Sequence, residues 1–252
     1  MKKIAILAAV TFAATSCGLN IFGRLETGNG IPANKSYEIS DYSVILSSGS
    51  TDIYYAQTPG EYSATLTTDE NLIDFYEVSA EQGILTISTE KGVQVLPKVD
   101  ARLTTNSSAL KHVGISGSGD CNIVSNLTVD TEFDFAVSGS GDLDVPGSIV
   151  CRSFSAEITG SGDIEVGRLV AEETTIRISG SGSAEIENLS SDKISVTITG
   201  SGDITLVCQN AGDIEVKITG SGSVKLSGSA RSLSQHITGS GRVNSSSFTL
   251  NR

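Results

Sequence analysis

The stretch Ile158-Thr159-Gly160-Ser161-Gly162-Asp163-Ile164-Glu165-Val166 decides the fold. Apolar and polar residues alternate on both sides of a glycine-rich corner, the period of a half-buried β-strand. The corner is one of seven. Gly-Ser-Gly begins at Gly117, Gly139, Gly160, Gly180, Gly200, Gly220 and Gly239, at intervals of 22, 21, 20, 20, 20 and 19 residues. Two residues before each corner stand Ile115, Val137, Ile158, Ile178, Ile198, Ile218 and Ile237; four after it stand Cys121, Leu143, Ile164, Ala184, Ile204, Val224 and Val243. A unit this short cannot bury its own inner face, but stacking the units buries it. The expected fold is therefore all-β: a single-stranded parallel β-helix, or β-solenoid, with coils of about 20 residues turning at the Gly-Ser-Gly corners.

Other periodic folds fit less well. Calcium-binding β-rolls repeat every nine residues, leucine-rich repeats require an Asn column, and propeller blades need about twice this period. Glycine supplies the backbone angles of each turn, and Ser can bond a nearby backbone group. The next column reads Asp120, Asp142, Asp163, Ser183, Asp203, Ser223 and Arg242, and its carboxylates are expected to accept N–H groups at the corner. Within the domain spanning 36–252, residues 116–252 form the regular repeats. Residues 36–115 read as irregular capping coils, in which the Val44–Tyr55 stretch is a degenerate corner of the same kind.

The N-terminus reads as an address. Lys2 and Lys3 precede an apolar run from Ile4 to Ala14, and small residues lead into Cys17. This pattern suits a secretory leader over 1–17 ending in a lipobox, in which Cys17 is acylated and becomes the mature N-terminus. Residues 18–35, with Gly23, Gly28, Gly30 and Pro32, read as a flexible tether.

The net charge of −12 and the pI of about 4.6 argue against nucleic acid as a partner. There is no G-x-S-x-G elbow, no P-loop and no Cys/His spacing for zinc, so no catalytic residue, resident metal or cofactor is expected. Cys151 and Cys208 leave a disulfide open, with Cys121 in an inward column. Outward carboxylates Asp144, Glu165 and Glu185, near Asp142 and Asp163, form an acidic strip; a solvated face is its simplest reading, with calcium or glycoside hydrolysis as the alternatives. All six tyrosines lie between Tyr37 and Tyr76. Tyr42, Tyr54, Tyr55 and Tyr62 are taken as the candidate ligand surface, because exposed aromatics bury area at low entropic cost. Packing in a cap is the competing reading.

Lipobox, looser β segment and repeated corners, carried by Ile115-Ser116-Gly117-Ser118-Gly119-Asp120 and Ile158–Asp163, together resemble the "putative auto-transporter adhesin, head GIN domain" family over roughly residues 36–250. The resemblance implies a β-solenoid in the cell envelope and an adhesin's role without catalysis, with no functional residue to transfer. The expectation is a lipoprotein anchored in the outer membrane, on either face, presenting the solenoid to a glycan or protein ligand. The alternatives are a periplasmic scaffold or sensor in envelope maintenance and, further off, a polysaccharide-acting β-helix enzyme.

Overall fold

A computed structural model describes residues 23–251, so the leader and Cys17 lie outside the described residues. The first half holds β1 (Arg24–Thr27), β2 (Pro32–Glu38), β3 (Val44–Gly49), β4 (Asp52–Gln57), β5 (Ser63–Asp69), β6 (Tyr76–Glu81), β7 (Ile84–Thr89), β8 (Val93–Leu96) and β9 (Arg102–Ser107). The second half holds β10 (His112–Gly117), β11 (Cys121–Ile123), β12 (Leu127–Thr128), β13 (Glu132–Gly139), β14 (Leu143–Val150) and β15 (Ser153–Gly160). It continues with β16 (Asp163–Gly180), β17 (Ser183–Gly200), β18 (Asp203–Gly220), β19 (Ser223–Gly239) and β20 (Arg242–Leu250). Strand accounts for 73% of the described residues, in a β-solenoid of about seven turns.

The repeat columns become physical columns. β16, β17, β18 and β19 pair in parallel so that Ile178, Ile198, Ile218 and Ile237 stack directly, as do Gly180, Gly200, Gly220 and Gly239. Inward side chains are buried through the middle of the stack: Ile178, Ile198, Val196 and Ile204 are all at most 2% exposed. Each buried aliphatic side chain of this size contributes about 1.5–3 kcal/mol.

The corner explains why glycine recurs. At Gly180 the backbone has φ +139°, and a Cβ would fall on the carbonyl oxygen of Gly160 in the coil below. Only glycine combines that dihedral with so close a backbone approach. The Asp column caps the same corner from coil to coil. Asp120 Oδ1 accepts the N–H of Asp142 at 3.0 Å, Asp142 Oδ1 that of Asp163 at 2.7 Å, and Asp163 Oδ1 that of Ser183 at 2.8 Å.

The chain does not lay its coils down in order. β3 and β4 form a regular coil around Gly49, directly beneath β10 and β11, with Gly49 in register with Gly117. The intervening chain then drops below that coil: β7 pairs in parallel with β3, and β9 with β4. Below this layer the pairing turns antiparallel. β6 closes on β7, β5 on β9, and β2 on β5. Pro32, Lys35, Glu77 and Glu81 stand on these last strands, where proline and charge discourage further pairing.

The tether expectation is corrected from Arg24 onward. β1 pairs with β8, and β2 is a strand of the main sheet. The Gly28–Gly30 loop is pinned by side chains distant in sequence. Asp69 accepts the amides of Gly30 at 2.5 Å, Lys98 at 2.8 Å and Val99 at 2.9 Å, while Asn71 bonds Asn29 N and Thr27 O. Burial opposes ionisation of Asp69, yet the Val99, Gly30 and Lys98 amides hold its carboxyl below the usual range.

Candidate functional site

The tyrosines do not form one face. Tyr42 and Tyr55 are core residues, 2% and 0% exposed, packed edge to face with ring centroids 6.5 Å apart. Their hydroxyls bond Thr105 Oγ1 at 2.7 Å and Ser107 Oγ at 2.9 Å. Burial is the main cause that raises both phenols, that of Tyr42 far above its ordinary value and that of Tyr55 to about 12. Tyr54 faces outward, as alternation with Tyr55 requires, but Arg102 lies 4.1 Å over its ring. Tyr62 is half-buried, with its hydroxyl on Asp41. Two of the four proposed ligand-surface residues, Tyr42 and Tyr55, thus belong to the interior, where their rings fill the core.

The cysteines are free and buried. Cys208 stands in the column of Ile149, Leu169 and Leu189, whereas Cys151 lies beside Ile149 and Val150, three coils earlier than Cys208. Three strand spacings, about 14 Å, are beyond the reach of a disulfide. Burial raises the thiols to about 12 at Cys121 and about 11 at Cys151 and Cys208, which makes all three poor nucleophiles.

The acidic strip is real as a row. Asp144, Glu165 and Glu185 are consecutive register partners, and with Glu187 they line a depression of about 280 Å³. Among the described residues, no group of three His, Cys, Asp or Glu side chains is arranged to hold a metal ion.

A larger concavity lies elsewhere, on the outer face of β7, β3, β10, β13 and β15. Its volume is about 660 Å³, within the range of ligand pockets. Its origin is a single row of register partners: Thr86, Leu46, Gly114, Ala136 and Glu157. Farther along, the same row continues as Arg177, Thr197, Lys217 and His236, which are long or polar. Gly114 and Ala136 leave a trough between them and the charged section. Leu46 leans across Gly114, where an added Cβ would lie 2.9 Å from Leu46 Cδ2.

One wall is a row of hydroxyls, Ser48, Ser116, Ser138 and Thr159. Toward the opposite wall His112 stands beside Asp134 on the neighbouring strand. Burial lowers the His112 pKa, with Asp134 opposing, so the imidazole is neutral at pH 7. Burial raises the Asp134 carboxyl in turn, with His112 opposing. The site therefore offers an apolar floor and a hydroxyl rim, with the Glu157 carboxylate at one end. It suits binding; no nucleophile–base pair stands in it. The sequence contained a signal for it: three residues before each corner the outward column reads Gly114 and Ala136 where polar side chains stand in later coils.

Solved structures share this architecture. A putative lipid binding protein from Parabacteroides distasonis ATCC 8503 is 25% identical, with a TM-score of 0.74 over 88% of this chain and 99% of its own. A putative adhesin from Bacteroides fragilis NCTC 9343 is 23% identical, with a TM-score of 0.77 over 87% of this chain and 99% of its own. A putative adhesin from Parabacteroides merdae ATCC 43184 is 21% identical, with a TM-score of 0.71 over 88% and 98%. No curated protein matches the chain. The family model "Putative auto-transporter adhesin, head GIN domain" matches residues 41–207 and 174–252, which together take in every regular coil and most of the cap, and the chain belongs to that family.

Proposed function

We propose that the protein is a non-enzymatic adhesin of the cell envelope, held at the outer membrane through a lipid on Cys17. In this reading it receives a segment of glycan or protein in the groove over Gly114 and Ala136. The observation that carries the reading is the groove itself: an apolar floor edged by a hydroxyl row, on a rigid sheet. Such a surface meets the apolar face of a sugar or side chain while the rim serves its hydroxyl or amide groups. Ala136→Arg fills the trough from a half-buried, outward-facing position, and circular dichroism checks that the variant folds. On glycan and matrix-protein arrays the unaltered protein should bind a defined set of ligands, and Ala136→Arg should lose them. Retention by the variant would remove the groove from the reading, and an array with no ligand would remove the adhesin. Metabolic labelling with palmitate should mark the protein and fail with Cys17→Ser. Protease shaving of intact and lysed cells separates a surface adhesin from a periplasmic scaffold.

A second reading has an observation of its own. The groove lining is mostly apolar, and the P. distasonis relative is named for lipid binding. An amphipathic lipid is then the ligand, and co-purifying lipid displaced by Ala136→Arg would identify it.

A further inference from the structure

Among the described residues, the upper end of the stack is uncovered. Ile214, Val216 and Ile218 are at most 2% exposed, yet no described residue pairs above their partners in the next layer, Leu233, Gln235 and Ile237. Ile237 is 37% exposed and Leu250, over the buried Ala230, is 54% exposed. Among the described residues, the Ser232–Gly239 stretch of β19 pairs only with β18, and β20 only with β19. Both strands thus present outer rows of N–H and C=O groups without a ladder partner.

The charge of this end is the reverse of the whole. The chain carries a net −12, but no Asp or Glu follows Glu215 in the sequence, while Lys217, Lys225, Arg231 and Arg242 stand on β18, β19 and β20. Arg231 is held by Asp213 of the preceding coil at 2.6 Å. Lys225 and Arg242 make no ion pair among the described residues. Two copies meeting upper end to upper end would bring like charges together, and the lower end of another copy offers only β2 and β6, where Pro32, Lys35, Glu77 and Glu81 discourage pairing. A membrane or a polyanionic glycan would meet the cations but leave the strand edges and the inward apolar column uncovered. An extended polypeptide meets all three, because its backbone completes the ladders while alternate side chains point inward and outward.

We propose that this end is a β-augmentation site for an acidic, extended segment of a partner protein. The segment adds as the next coil over β19 and β20. Its apolar side chains cover Leu233, Ile237 and Val243, and its carboxylates face Arg242 and Lys225.

A suitable probe is a fluorescein-labelled peptide with the sequence of residues 132–145. In its own coil it places Phe133, Phe135, Val137, Leu143 and Val145 inward and Glu132, Asp134, Asp142 and Asp144 outward. Fluorescence anisotropy with the full chain should give saturable binding that weakens with salt. Reversing both cations, Lys225→Glu with Arg242→Glu, should weaken it about tenfold. Both residues are exposed, and circular dichroism checks that the variant folds. Ala136→Arg should leave the peptide's affinity unchanged, which separates this site from the groove. A version of the peptide with its four acidic residues replaced by Lys should not bind. The proposal falls if neither peptide binds, if both bind equally, or if charge reversal has no effect. It also falls if the end is occupied by a second copy, seen as a dimer in sedimentation that Ile237→Lys disperses. Vesicles of anionic lipid that bind through Arg242 while the peptide does not would assign the end to a membrane and overturn it.

Discussion

At its lower end the stack rests on a layer that runs against the rule of the coils above it. Antiparallel β2, β5 and β6 cover the parallel strands, and Leu66, Leu85 and Leu103 are each 0% exposed there. At its upper end, among the described residues, the columns that bury Val216 and Ile218 surface as Gln235 and Ile237. The same strand geometry is closed by a chain that doubles back in one place and left open in the other. Burial inside a solenoid is thus a property of having a neighbour on each side, and one residue type in one column has very different worth at different heights.

That difference can be broken or sharpened by substitution. The largest effect is expected at Gly180→Ala. It combines left-handed strain of about 1–3 kcal/mol with a Cβ driven against the Gly160 backbone, a further 1–3 kcal/mol by the usual cost of overpacking. Gly49→Ala bears only the strain, since its φ is +106° but no atom lies within 4 Å of the added Cβ. Equal urea midpoints for the two variants would refute the close-approach account of the corner. Next come truncations. Leu66→Ala in the cap and Ile218→Ala in the stack should each cost about 2–5 kcal/mol, whereas Ile237→Ala, one coil above Ile218, should cost less than about 1 kcal/mol. A full-sized loss at Ile237 would mean that the upper end is covered in solution.

Asp69→Asn tests the tie that holds the lower end. The folded carboxyl is held below its ordinary value near 4, so its contribution is present above that value and is lost as pH falls through the folded one. The variant should melt lower than the parent at pH 7, and the gap should close in acid; a gap independent of pH would assign the role to shape alone. The smallest effect is expected for Leu250→Ala, under about 0.5 kcal/mol, since the side chain is 54% exposed.

The coils were legible in the sequence because their information is local and repeated. A residue two before the corner faces inward in every copy, and seven copies average out exceptions such as Thr174 among apolar partners. Alternation also places Tyr54 outward and Tyr55 inward. The cap was not legible for the opposite reason. Asp69 finds its donors on Gly30, Lys98 and Val99, and Tyr42 finds Thr105, partners separated by long stretches with no repeat to align them. Glycines in 18–35 therefore looked loose, although Gly28 is small because the Asp69 carboxyl occupies the place of its Cβ. The groove lay between these cases. Its row was visible in the repeat, but its meaning depended on Leu46 and Thr86 arriving from strands outside the regular spacing.

The coils around Gly180, Gly200 and Gly220 share one register, position for position across the corner. A tandem duplication of one such unit would slot in as another layer, with each column meeting its own kind above and below. The rod would lengthen by about 4.8 Å, while the floor beneath it and the groove near that floor would be untouched. Reach is in this sense a heritable quantity that a lineage can change by copying a single unit, without inventing a new contact.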